Sequence, residues 1–262
     1  MKIKDVLDAL ERFAPLPLQE DWDNAGLQIG LTETDVSGAL LCLDVNEQII
    51  EEAVRRGCNL VVAHHPLIFR GLKAITGQDL VQKTVEKAIM NKVAVIAMHT
   101  NMDNVKGGVN YRIAQHLGLQ NVEFFAAKPN QTGKEAGNGV VGCLPIPLAA
   151  KDFINKVKTE FGVHTAACNQ LLERPIRKVA ICGGAGDFLV DEAVRNGADA
   201  FITGEMHYHV FFGKEQQLQI CIIGHYQSEQ FTAEVFQEII QKECMGVKTF
   251  IAETNTNPII YL

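Results

Sequence analysis

The segment EAVRRG at Glu52–Gly57 returns 140 residues later as EAVRNG at Glu192–Gly197, identical at five of six positions. Each copy ends a helical pattern at a glycine and is followed by an apolar run, NLVVA after the first and DAFIT after the second. A second echo follows at an offset of 126: VAVIAM leads into HTNMD (His99 to Asp103), and QICIIG leads into HYQSE (His225 to Glu229). Both read as apolar strand, histidine, three residues, then an acid. Two echoes in the same order predict duplicated lobes, each made of short strands alternating with amphipathic helices. The expected class is therefore α/β: two related lobes, sheets covered by helices, and functional loops at strand C-terminal ends in a cleft between lobes.

The rest of the chain fits that frame. With 262 residues, roughly three quarters of the unfolded surface is buried, so no disulfide or structural metal is needed to hold a core. Ile3, Val6, Leu7, Leu10 and Phe13 recur at helical spacing, so the N-terminus reads as a first helix and not as a leader. Asn46 is placed to cap a helix that stops at Gly57, and Ser228 to Cys244 reads as one long helix. The polar stretch Lys128–Asn138 is the linker candidate, which divides the chain into 1–127 and 128–262. No apolar run reaches the ~18 residues of a membrane span. A net charge of -7 excludes a general nucleic-acid surface. Seven scattered cysteines without a Cys-x-x-Cys read as free thiols of a cytoplasmic protein.

The polar residues at the strand ends carry the chemistry. His64 and His65 stand between an apolar strand and Pro66. Side chains of a regular strand alternate between faces, but at a strand end before proline both imidazoles can turn to one side. Asp103 and Glu229 each lie four residues beyond a histidine, where a helix should begin, and His225 completes a set of three imidazoles and two carboxylates. Taken alone, a His pair before proline is an ordinary loop feature, and His-x-x-x-acid is common in helices. Their coincidence at strand ends of a duplicated frame points to metal. Imidazole plus carboxylate without thiolate suits zinc, iron, manganese or nickel. Five protein ligands over two divalent ions leave positions for water, the mark of a catalytic site.

These residues sit in segments that resemble the Nif-three-like (YbgI-like) family, whose bacterial members are often labelled GTP cyclohydrolase I type 2 homologues. The resemblance runs through WDNAGLQIG, LDV, HHPLIF, HTNMDNVKGGVN, GGAGD, GADAFITGEMHYH and GHYQSE. It implies a dinuclear site on His64, His65, Asp103, His225 and Glu229. In that pattern His65 and Asp103 serve one ion, His64 and His225 the other, and Glu229 bridges both. It also implies a toroidal homohexamer, in the short form that lacks an inserted middle domain. The family pattern does not count His99 as a ligand, although the repeat pairs it with His225. His99 is then a neighbour of the metals or a proton carrier, the alternative being a histidine hydrogen-bonded in a loop.

Glu205, His207 and His209, in GEMHYH, are too polar to follow a buried strand without reason, and Glu205 and His207 join His99 as candidate proton shuttles. Gly183–Gly186 follows a strand and precedes a helix, but it has neither a P-loop Lys-Ser/Thr nor a dinucleotide fingerprint. No organic cofactor is expected, and the plain reading is a tight strand-to-helix turn, with anion binding the lesser option. Trp22, with Asp23 and Asn24, could edge the cleft, the plain reading being a packed aromatic in a turn. His116 reads as a partly exposed residue at a helix end. The leading function is a metal-dependent hydrolase acting on a small nucleotide-like substrate, with opening of the GTP imidazole ring at C8 implied by the family label alone. Arg70, Lys73 and Lys106 are the cations near the motif loops. Two other functions stay open: a non-catalytic metal-binding or regulatory scaffold, and a dinuclear phosphoesterase or peptidase.

Overall fold

Three four-residue apolar strands, each buried from end to end, form the centre of the first sheet. The computed structural model describes residues 1–261. In chain order its elements are α1 (Ile3–Phe13), β1 (Gly26–Ile29), β2 (Ala39–Cys42), α2 (Glu47–Arg55), β3 (Leu60–Ala63), α3 (Leu80–Met90), β4 (Ala94–Ala97), α4 (Thr100–Asp103) and α5 (Val109–His116). They continue with β5 (Gln120–Ala127), β6 (Gly137–Leu148), α6 (Ala150–Phe161), β7 (Ala167–Cys168), β8 (Ile176–Ala185), α7 (Val190–Arg195), β9 (Ala200–Glu205), β10 (Gln219–Ile222), α8 (His225–Glu229), α9 (Thr232–Glu243) and β11 (Thr249–Ile251). The chain forms two units: one takes Met1–Val105 with Thr232–Ile260, the other Lys106–Phe231 with Tyr261.

In the first unit the sheet order is β1-β4-β3-β2-β11, with β11, β2, β3 and β4 mutually parallel and β1 antiparallel at the edge. Leu40, Cys42, Val61, Ala63 and Val95 face Ile49, Ile50 and Ala53 of α2 and Val85 and Ala88 of α3. The alternate residues Leu41, Val62 and Ile96 are equally buried on the other face, where α9 packs on β2 and on α1. Asn46 caps α2 by accepting from the Ile49 N–H at 3.0 Å, as its position in the sequence requires. The second unit holds a six-stranded sheet, β5-β6-β8-β9-β10-β7, in which β8, β9 and β10 are parallel. β5, β6 and β7 are antiparallel to their neighbours. No helix among the described residues is long and apolar enough to cross a membrane.

The duplication holds at the level of single hydrogen bonds. Ala39 pairs with Leu60 in the first sheet and Val179 with Ala200 in the second, at one constant offset. Gly57 and Gly197 end α2 and α7 in the left-handed conformation (φ +71° and +67°), and the next N–H returns to Ala53 in one and Ala193 in the other. Two expectations fail. Lys128–Asn138 is no linker: it closes the β5–β6 hairpin, with the Lys128 N–H bonded to the Ala136 carbonyl at 2.9 Å. A division at 127/128 would cut that hairpin. The long helix from Ser228 is also broken, into α8 and α9. Gln230 donates to the Phe161 carbonyl and Phe231 stacks on His116, which keeps the chain in the second unit until the break at 231/232.

The two copies of the motif have diverged in what their glutamates do. Glu52 is fully buried and accepts from Arg56 Nε, from the Glu253 and Thr254 N–H groups and from the Thr254 hydroxyl, so it fastens the segment after β11 to α2. Burial pushes its carboxyl up, but these donors outweigh burial and hold it at about 2. Its contribution to stability is complete above the unfolded value of about 4.3 and is lost as pH falls through about 2. Glu52→Gln should lower unfolding stability at pH 7 by about 1–3 kcal/mol. The difference from wild type should shrink in denaturation curves taken from pH 5 down to 2; a constant difference would contradict this role.

Candidate functional site

In the first unit the functional side chains gather where β2, β3 and β4 end. The His64 N–H donates to the Cys42 carbonyl and the His65 N–H to the Leu43 carbonyl, so the ladder continues one step past the strand and fixes both backbones. His64 is fully buried, and its ring lies 5.0 Å from that of His65 and 5.1 Å from that of His99. One ring nitrogen from each of the three lies within 4.8 Å of the others.

Each imidazole is anchored through Nδ1 by an oxygen that can only accept. His64 Nδ1 lies 2.9 Å from the Met98 carbonyl, His65 Nδ1 2.7 Å from Asp44 Oδ1, and His99 Nδ1 2.7 Å from Asp23 Oδ1. A carbonyl or ionised carboxylate at Nδ1 places the ring proton there and leaves the Nε2 lone pair as the basic site. Burial pushes the Asp23 carboxyl up, yet hydrogen bonds from His99 and Thr100 hold it at about 2. Burial acts likewise on Asp44, and His65 with Thr256 brings it below its ordinary value. Both are ionised acceptors at neutral pH. Oriented, electron-rich imidazoles of this kind are what metal ligands require.

The HTNMDN segment is held residue by residue. Asp23 accepts from the Thr100 N–H at 3.0 Å and from the Thr100 hydroxyl, which caps α4 from outside the helix. Asn101 donates to the Ala14 carbonyl and Asn104 to the Leu18 carbonyl. Asp103 is thereby set with Oδ1 3.7 Å from His64 Nε2. Two ligands about 2.1 Å from one ion stand about 3.4 Å apart at a tetrahedral angle, so this pair matches shared coordination. Trp22 is 59% exposed and not packed as expected; it meets Phe69 and the edge of His99.

In the second unit α8 starts after Gly224 and carries His225 and Glu229. Glu229 is buried, and its Oε2 lies 3.1 Å from His225 Nε2. His225 Nδ1 faces Glu205 Oε1 at 3.4 Å. A Cβ on Gly184 (φ +61°) would stand 2.5 Å from Glu229 Oε1, so the GGAG turn is the bed of that carboxylate and not an anion cradle. Ser228 Oγ accepts from the Gly184 N–H at 2.9 Å and donates to the His225 carbonyl, which locks helix to turn. Glu205 and His207 line a cavity of about 410 Å³ with Asp187, Met206 and Ile222. Asp187 holds His207 Nδ1 and raises its pKa above the ordinary histidine value. His209 lines none of this cavity; its ring packs against Tyr208 and Phe212. Lys106 is paired with Glu135 at 2.7 Å, while Arg70 and Lys73 are exposed.

The repeat explains why His99 and His225 differ. Met98 bonds back to the Ala63 carbonyl and Ile223 to the Thr203 carbonyl, so these two positions correspond. His99 then matches Gly224, and His225 stands one residue further on. The second copy has gained a residue, and the two histidines are not equivalents. Sequence reasoning assigns no role to Asp44 or Asp187 and places Asp23 only at a candidate cleft edge beside Trp22; each is an acid fixing an imidazole. Asp23 and Asp44 lay in view, inside WDNAG and LDV, but the patterns do not say which histidine each one meets.

A model of the family Duf34/NIF3 (NGG1p interacting factor 3) matches residues 1–258. A Clostridium acetobutylicum protein named GTP cyclohydrolase 1 type 2 homolog is 32% identical over 98% of each chain. A Clostridium perfringens protein of the same name is 36% identical over 87% of each. Among solved structures, a Bacillus cereus protein related to NIF3 aligns with a TM-score of 0.90 at 26% identity, over 100% of this chain and 99% of the other. Protein ybgI, described as of unknown function, aligns over 99% and 100% with a TM-score of 0.83; at 21% identity that likeness concerns the fold alone.

The bed beneath Glu229 can be tested against an internal control. Gly184 and Gly197 share a left-handed φ, but a Cβ on Gly197 meets nothing within 4 Å. Gly197→Ala should cost about 1–2 kcal/mol from its backbone alone. Gly184→Ala should cost roughly 1–3 kcal/mol more, because Glu229 must move. Equal losses in chemical denaturation would contradict the close approach.

Proposed function

This chain belongs to the Duf34/NIF3 family, and on that premise we propose that it binds two divalent metal ions and is a metal-dependent hydrolase of a small nucleotide-like substrate. The proposed ligands are His64, His65, Asp103, His225 and Glu229. The observation that carries this reading is the anchoring of three clustered imidazoles through Nδ1, with the basic Nε2 of His64 3.7 Å from Asp103. That spacing favours His64, in place of His65, as the partner of Asp103 on one ion. The donor set fits borderline divalent ions, and the buried Glu229 on its glycine bed supplies a fixed carboxylate.

A bound ion of this kind supplies Lewis acidity and eases the ionisation of water. The chain's own groups would do the remaining work. Asp44 and Asp23 hold the rings of His65 and His99 in one orientation and one tautomer. His207, kept protonated to higher pH by Asp187, serves as proton donor at the mouth of the 410 Å³ cavity, and Glu205 beside it as acceptor. The name shared by the relatives makes GTP the first substrate to try, and the toroidal hexamer implied by the resemblance belongs to the same proposal.

Elemental analysis of protein purified without added metal should find about two equivalents per chain. His64→Ala and His225→Ala should each lose metal while far-UV circular dichroism stays unchanged. Asp44→Asn should weaken metal binding roughly 10–100-fold by removing the acceptor behind His65. Turnover of GTP with Mn²⁺, Zn²⁺ or Fe²⁺ should vanish in Glu229→Ala. Wild-type protein with neither bound metal nor saturable uptake of these ions would overturn the reading.

A further inference from the structure

Two thiols face one another across the last strand pair of the second sheet. β7 is a two-residue edge strand antiparallel to β10, and its register sets Cys168 opposite Cys221 and Ala167 opposite Ile222. Opposed residues of an antiparallel pair have Cα atoms about 4.5–5.5 Å apart. A disulfide spans Cα separations of roughly 4.4–6.8 Å, so this register places the two cysteines within bonding range. The register is pinned nearby: Asn169 Oδ1 accepts from the Ile220 N–H and from Gln219 Nε2, and its Nδ2 donates to the Leu218 carbonyl.

The two cysteines are unequal. Cys221 is fully buried, whereas Cys168 is partly exposed at the sheet edge. The Cys168 Sγ–H points to the Ala166 carbonyl at 3.9 Å; the neighbouring Cys221 thiol and the ammonium of Lys158 favour the Cys168 thiolate against the effect of its burial, while the Cys221 thiol is pushed up by Cys168 and by burial. Other cysteines in the sheets face different residue types across the strand: Cys143 stands opposite Lys178, Cys42 opposite Ala63 and Cys182 opposite Thr203.

We propose that Cys168 and Cys221 are a reversible dithiol–disulfide couple, with Cys168 the exposed nucleophile and Cys221 the resolving thiol. The co-reactant is a low-molecular-weight disulfide such as oxidised glutathione. The Cys168 thiolate attacks it, forming a mixed disulfide and expelling one glutathione thiolate. Cys221 sulfur then attacks Cys168 sulfur, and the second glutathione leaves as its thiol with the Cys221 proton. One disulfide is made and one consumed. The new bond ties the edge strand to β10, the strand that leads through Gly224 into His225.

Full-length protein incubated with oxidised glutathione, alkylated and mapped by peptide mass should yield a Cys168–Cys221 cross-link two hydrogens lighter than its reduced peptides. The other five cysteines should be alkylated, and dithiothreitol should reverse the link. Cys221→Ser should trap one glutathione on Cys168, and Cys168→Ser should form neither adduct nor link. Wild-type protein that keeps both thiols alkylatable, or that cross-links a different pair first, overturns the proposal. The wild-type map involves no substitution, so a folding defect in either variant does not affect its outcome.

Discussion

Three imidazoles crowd one end of a sheet, and each is held by an acceptor at Nδ1. The Met98 carbonyl, Asp44 and Asp23 fix ring orientation and proton position together. Short parallel strands bring three chain segments to a common end, the ladder carries on one step through His64 and His65, and Asp23 caps α4 so that Asp103 arrives beside His64. The energetic logic is that of a polar network that fixes each ring from its Nδ1 side: it specifies one geometry, and loss of any of these acceptors leaves a ring N–H without its partner.

The second unit reaches a comparable end by other means. At the position of Asp44 it has Gly184, and the missing side chain makes room for the carboxylate of Glu229. At the position of His65 it has Glu205, which faces His225. One inserted residue after β10 then moves the histidine a step along the chain relative to His99. A duplicated frame has thus been filled with complementary chemistry, imidazoles oriented by acids in one copy and a glycine-bedded acid in the other.

Much of this was legible because it is local. Hydrophobic alternation, the Asn46 cap and the stops at Gly57 and Gly197 are decided by neighbouring residues, and the structure agrees with them. The repeat was legible as sequence and proved true in strand register. What escaped were decisions taken over long separations. The polar stretch 128–138 has a linker's composition and becomes a hairpin only because β5 finds β6. Ser228 to Cys244 is helical in pattern throughout, yet the chain changes unit at 231/232 and the helix must break. Asp23 and Asp44 were in plain view, but only the fold tells Asp23 that its histidine lies 76 residues away.

The central claim is that His64, His65 and His99 carry their ring protons on Nδ1 and offer Nε2. Long-range proton–nitrogen correlation spectra of the histidine rings in metal-free protein test it directly, repeated after addition of Zn²⁺. The expected result is three Nδ1–H tautomers, with the Nε2 resonances of His64 and His65 displaced by the ion. A proton on Nε2 of either ring, or Nε2 resonances indifferent to metal, would contradict it.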